Sequence, residues 1–114
     1  LGLSLSEYEV KEFEPWELLP APCQAIIAVE CAKESKAAEI ISQVSHKETM
    51  LRFETEREVI RLLGADCTVP VGAYSEINGE KISLTVSDGK GHFAQGEKEI
   101  EKRFELVKEL TDKL

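Results

Sequence analysis

The spacing of apolar and polar positions changes along the chain, and each change marks a predicted element. Leu1 to Pro22 holds no steady period and is punctuated by Pro15, Pro20 and Pro22, which predicts a short strand or irregular segment leading into a loop. Residues 24–31 (Gln-Ala-Ile-Ile-Ala-Val-Glu-Cys) form a continuous apolar run, the pattern of a strand buried on both faces. Such a strand needs neighbours on each side, and the preceding residues are a weak source of them. Further chain outside this sequence is therefore expected, as the start at Leu1 rather than a methionine also allows.

From Ser35 the period becomes helical. Ala37, Ile40, Ile41 and Val44 fall at i, i+3, i+4 and i+7. Ser45 and Glu48 have capping-box spacing and predict a second helix, with Met50, Phe53, Ile60 and Leu63 in one row and Leu51, Val59 and Leu62 widening it. Gly64 is placed to end that helix in a left-handed conformation. The period then drops to two: Val69, Val71, Ala73 and Ile77 point one way, Tyr74 and Glu76 the other. Asn78-Gly79 predicts a tight hairpin with both residues at positive φ. Ile82, Leu84 and Val86 alternate in the returning strand, Asp88-Gly89-Lys90-Gly91 predicts a second turn, and His92 to Gln95 a short third strand. A last helix is expected from about Glu97, with Ile100, Phe104, Val107, Leu110 and Leu114 on one face. The predicted class is α+β: a three-stranded antiparallel meander with helices packed on one face.

Composition narrows the function classes. The 114 residues are 42% hydrophobic, enough for one core, and carry a net charge of −8 from 22 acidic and 14 basic side chains. No basic stripe exists to neutralise phosphates, so neither nucleic acid nor an anionic membrane surface is an expected partner. The longest clean apolar stretch, Ala25 to Val29, falls far short of the ~20 residues of a membrane span. Cys23, Cys31 and Cys67 form no C-x-x-C pair, and the two histidines are not placed to complete a zinc site. Free thiols in a reducing compartment are expected, hence the cytoplasm, and Leu1 to Val10 lacks the pattern of a signal peptide.

Several motifs, in order, resemble the porphobilinogen deaminase (hydroxymethylbilane synthase) family. Leu1-Gly2-Leu3 is similar to an upstream element of the family. Leu19 to Ala25 followed by Ile26 to Glu30 resembles its proline-led Gly-Gln-Gly turn and small apolar strand. Glu56-Arg57 sits where the family has Glu-Arg on a helix. The densest match is Cys67-Thr68-Val69-Pro70-Val71-Gly72-Ala73, similar to the family's Cys-x-x-Pro-hydrophobic-Gly-Ala loop. The chain departs from the pattern at Cys23 and Ala25, which replace the glycines flanking Gln24, at Ala65-Asp66, which replace Gly-Gly before the cysteine, and near Ala32, where an arginine is common.

The resemblance implies a three-domain transferase that joins four porphobilinogen units into hydroxymethylbilane with release of ammonia, in tetrapyrrole (heme) biosynthesis. It implies that residues 1–34 end the central domain and supply a strand returning to the first, while residues 35–114 form the C-terminal cofactor-anchoring domain. Cys67 is then the anchor of a covalent dipyrromethane held through a thioether, and Gln24 a candidate cofactor contact. A soft thiolate suits capture of an electrophilic azafulvene carbon, and a thioether resists hydrolysis. The C-terminal end of the preceding helix and the Asp66 charge both disfavour the thiolate, which suits an anchor that reacts once. The catalytic carboxylate and the arginine cluster for pyrrole acetates and propionates belong, by the same resemblance, to the upstream domains. Arg52, Arg57, Arg61 and Arg103 are expected in solvated or ion-paired roles, with Arg57 packing near the loop. His46 and His92 are expected as surface or cap residues, Cys23 and Cys31 as buried small residues, and Trp16 as a packing anchor. No catalytic or metal-binding residue is expected in this chain, which alone should be inactive, with Cys67 unmodified. Two rivals stay open: a stand-alone, non-catalytic interaction domain derived from the same scaffold, and a thiol redox module, which would lack a resolving cysteine at suitable spacing.

Overall fold

In the computed structural model, residues 6, 8–66 and 68–114 are described. The Leu1-Gly2-Leu3 match and Cys67 itself lie outside them. The elements run α1 (Lys36–Val44), α2 (Lys47–Leu63), β1 (Gly72–Asn78), β2 (Lys81–Ser87), β3 (Phe93–Glu99), one 3₁₀ turn (Ile100–Lys102) and α3 (Arg103–Thr111). The three strands form one antiparallel sheet in the order β1-β2-β3, so the predicted α+β meander is the observed fold.

Both long-helix boundaries have local causes. Ser35 caps α1, its hydroxyl accepting from the Ala38 N–H at 3.2 Å. The cap of α2 is His46 rather than Ser45: its Nδ1 accepts from the Thr49 N–H at 3.3 Å, and Ser45 closes α1 instead. The linker between the helices is too short for Ser45 to end one and cap the next. At the other end Gly64 is left-handed (φ 59), and the Gly64 and Ala65 N–H groups donate to Arg61 and Ile60 carbonyls, the pairing of a Schellman stop.

The core is the strand face bearing Ala73, Ile82, Leu84 and Val86, covered by Val59 from α2 and by Leu106, Val107 and Leu110 from α3. Leu84 pairs across the ladder with Ser75 on one side and Gly96 on the other. A Cβ at Gly96 would stand 3.1 Å from Leu106 Cδ1 and 3.4 Å from Leu110 Cδ2, so the leucines of α3 occupy the space over that strand position. The apolar face of α3 is thus centred on Leu106, Val107 and Leu110, with Phe104 turned outward.

Three predicted boundaries move. The hairpin turn is Gly79-Glu80, because Asn78 still pairs with Lys81, and of these residues only Gly79 takes a positive φ (63), as a type II′ turn requires at its first central residue. The third strand extends through Glu99 and the helix begins later. Glu97, Lys98 and Glu99 read as a charged first helical turn, but Glu97 pairs across the sheet with Lys81 at 2.9 Å, and Lys98 reaches Glu109 of α3 at 2.5 Å. The run 24–31, predicted as a doubly buried strand, pairs with no strand among the described residues. Ile27 is 90% exposed there. Cys31 and Trp16 are exposed rather than packed.

The buried stripe of α2 is the largest departure. Its fully covered residues are Thr55, Glu56 and Val59, while Met50 and Leu62 remain well exposed. Thr55 satisfies its hydroxyl on the Leu51 carbonyl at 2.7 Å. Glu56 enters the interior because three donors converge on it. Oε1 accepts from the Ser75 N–H (3.0 Å) and the Ser75 hydroxyl (2.6 Å), and Oε2 from the Cys23 N–H (2.7 Å). One carboxylate therefore joins the N-terminal segment, α2 and β1. Replacing it leaves buried donors without acceptors, the expensive side of hydrogen-bond energetics. Glu56→Gln, which retains one acceptor oxygen, is expected to lower stability by about 2 kcal/mol and Glu56→Ala by about 4 kcal/mol. Urea unfolding followed by circular dichroism checks this. Equal midpoints for all three proteins would show that the convergence contributes nothing.

Candidate functional site

The loop from Ala65 to Val71 leaves the Schellman stop of α2 and delivers the chain to β1. Its flanks are closed locally. The Asp66 carboxylate accepts from the Thr68 N–H at 2.8 Å and the Thr68 hydroxyl at 2.5 Å, and the Asp66 carbonyl accepts from the Val69 N–H at 3.2 Å. Those donors, the hydroxyl foremost, hold the Asp66 carboxyl below its ordinary range, so a fixed negative charge stands directly before Cys67.

Two neighbouring turns frame this loop. On one side, residues 21–26 make two tight turns, the Gln24 N–H donating to the Ala21 carbonyl and the Ile26 N–H to the Cys23 carbonyl. Cys23 (φ 63) and Ala25 (φ 65) are both left-handed, at the positions where the resemblance has glycine. Non-glycine residues there are strained by about 1 kcal/mol each. Gln24 is exposed, and its Oε1 accepts from the Ala21 N–H at 3.1 Å, tying down the turn. The Cys23 thiol donates to the Phe53 carbonyl at 3.7 Å. Burial, reinforced by the neighbouring Glu56 charge and opposed by Arg57, pushes it up to about 11. Cys23 is thus a poor nucleophile at neutral pH.

On the other side is the turn after β2. The Asp88 carboxylate accepts from the Lys90 N–H (2.8 Å), the His92 N–H (3.2 Å) and His92 Nδ1 (2.7 Å). These bonds, the His92 side chain's above all, pull its carboxyl down from 3.8 to about 2.

Between the loop, the 21–22 turn and α2 lies an open cleft of about 480 Å³, with Pro22, Arg57, Ile60, Asp66 and Pro70 on its walls. Arg57 therefore stands near the loop, as expected, while Gln24 is not among the residues lining the cleft. The other arginines are engaged elsewhere. Arg61 makes two bonds to Glu58, Arg103 pairs with Glu54 at 2.7 Å, and Arg52 lies over the Tyr74 ring at 5.4 Å. No group of three metal-ligating side chains exists among the described residues, and no helix there is long and apolar enough to cross a membrane.

Residues 50–114, from the second turn of α2 through the sheet to the end of α3, match the model of the porphobilinogen deaminase C-terminal domain. The chain belongs to the porphobilinogen deaminase family. It is 37% identical over 100 residues to the porphobilinogen deaminase of Clostridium kluyveri, covering 88% of this chain and 33% of that protein. The enzyme of Desulforamulus reducens is likewise 37% identical over 112 residues, covering 92% of this chain and 36% of that protein. The chain thus spans about a third of the length of these curated relatives.

Reading the residues as a series missed the structural part of Glu56. Its signal was present: a carboxylate at apolar spacing between Phe53 and Val59 on one helix face. Nothing in the spacing marked Ser75 and Cys23 as its donors.

The strained turn and the clamped turn each carry a measurable consequence. Ala25→Gly relieves left-handed strain and gives back backbone entropy, for an expected net gain of about 0.5 kcal/mol, read as a raised thermal midpoint. A lowered midpoint would contradict the strain. Asp88, held below its unfolded value, contributes stability that is present above pH 3.8 and lost as pH falls toward 2. Asp88→Asn is therefore expected to destabilise at pH 7, with the gap from wild type closing between about pH 4 and pH 2. Urea midpoints across that range test it, and a gap independent of pH would refute it.

Proposed function

We propose that this chain is the C-terminal part of a porphobilinogen deaminase that condenses four porphobilinogen molecules into hydroxymethylbilane, releasing ammonia at each step. In this reading it supplies Cys67 as the thioether anchor of a dipyrromethane primer, in a cytoplasmic transferase of tetrapyrrole biosynthesis. The observation that carries the reading is the family match over residues 50–114, which spans the Cys67-Thr68-Val69-Pro70-Val71-Gly72-Ala73 loop, together with the open cleft beside that loop's flanks.

The residues present suit an anchor. The cleft walls are mainly apolar, as flat pyrrole rings require, and include one cation, Arg57. That single charge does not match a chain of acetate and propionate groups, so most carboxylate recognition falls to residues outside this chain. When bound, the dipyrromethane supplies the primer to which pyrroles are added. The chain's own residues hold its attachment point: Asp66 and Thr68 bracket Cys67 in sequence, and a negative charge next to a cysteine disfavours its thiolate. A permanent bond has to form only once, which is compatible with weak activation.

The chain alone is expected to be inactive and Cys67 unmodified in it, because neither an acid aimed into the cleft with the setting of a proton donor nor an arginine cluster occurs among the described residues. Gln24, bonded to Ala21, serves the turn and would meet the cofactor only with further domains in place. The second reading, a stand-alone interaction domain, draws on the replaced glycines at Cys23, Ala25, Ala65 and Asp66. The intact mass of a protein carrying this chain with upstream domains like those of its relatives, compared with its Cys67→Ser variant, tests the anchor. A two-pyrrole increment lost on substitution is expected. Bare polypeptide mass in both, with hydroxymethylbilane still formed, would overturn the assignment.

A further inference from the structure

The turn after β2 lies against Pro70 of the anchoring loop. Gly89 is left-handed (φ 71), and a Cβ built on it would stand 2.2 Å from the Pro70 carbonyl oxygen, 2.8 Å from the Pro70 carbonyl carbon and 2.7 Å from Pro70 Cγ. No side chain fits there without moving one main chain off the other, and the conformation itself disfavours any other residue. Pro70 closes the C-terminal leg of the loop, directly after the Asp66–Val69 turn that spans Cys67. The glycine cannot drift away, because the Asp88 carboxylate holds both following segments of its turn, at Lys90 and His92, and the Ser87 hydroxyl accepts from the Gly89 N–H at 3.1 Å.

We infer that Gly89 is a positioning residue for the cysteine loop: its bare backbone, clamped by Asp88 and Ser87, presses on Pro70 and fixes the leg of the loop that carries Cys67. The inference rests on the reading of Cys67 as an anchor for its functional meaning, since a rigid attachment point sets where a tethered primer begins. The contact itself stands independently of that reading.

Thiol labelling of this chain by iodoacetamide under native conditions, resolved cysteine by cysteine by peptide mass spectrometry, tests it. Cys31, exposed, and Cys23, half-buried, are internal references. Gly89→Ala is expected to raise the Cys67 labelling rate at least fivefold while Cys31 and Cys23 stay within twofold of wild type. Asp88→Asn, which loosens the turn without adding bulk, is expected to act in the same direction by a smaller factor, and decides the matter if Gly89→Ala fails to fold. A purely structural role would raise Cys23 together with Cys67 by global opening, and that result, or an unchanged Cys67 rate in the variants that fold, would overturn the inference. Labelling does not require any cofactor, so the anchor itself is tested separately, by the two-pyrrole mass increment.

Discussion

A single buried carboxylate holds three parts of this molecule in register. Glu56 is 4% exposed and accepts from Ser75 twice and from the Cys23 amide once. A charge so placed is tolerable only while its acceptors are filled, since a carboxylate stripped of water and left unpaired is costly. Register on β1 is therefore tied to rotation of α2: a slip of one residue in the strand would turn Ser75 to the opposite face and leave Glu56 without two donors. The same carboxylate fixes the 21–26 turn against α2, although that turn contributes little apolar burial of its own.

From that junction the loop geometry follows. α2 stops at the left-handed Gly64 and β1 starts at Gly72, and the short connection between them is the cysteine loop. It is braced by Asp66 and Thr68 from within and by Gly89 from outside. The sheet needs the turn at Asp88 to return β3 against β2, and the same turn bears on Pro70. Loop position is thus a by-product of sheet closure.

Much of this architecture was legible in the residues. The helical period from Ser35, the stop at Gly64, the turn at Asp88-Gly89 and the alternation of Ile82, Leu84 and Val86 follow from local chemistry, and all are found, while the first hairpin turn is found one residue later, at Gly79-Glu80. Where the structure departs from the pattern, the deciding partner is distant in sequence. Glu97 and Lys98 look helical until Lys81 and Glu109 are seen to claim them. Met50 and Leu62 look buried until Glu56 is seen to take the inward position. Ser45 has the capping-box spacing, yet the turn of chain between α1 and α2 gives the cap to His46. The site was legible differently: the cysteine loop stands out as a motif, whereas its bracing by Gly89 depends on a contact that no spacing encodes.

The replaced glycines tie these observations together. Cys23 and Ala25 adopt the left-handed conformation that glycine takes freely, so the turn carries strain. A turn dictated only by its own residues would have relaxed to a conformation suited to cysteine and alanine. It has not relaxed, because the Cys23 amide is held by Glu56 and the Cys23 thiol by Phe53. Tertiary contacts overrule local preference there, and the contact that does so is the one on which β1 and the cysteine loop also depend. The same logic separates the two flanks of the loop. Asp66 replaces the freedom of a glycine by a side-chain clamp on Thr68, whereas position 89 admits no such exchange, since the space a side chain would need is already filled by the Pro70 main chain.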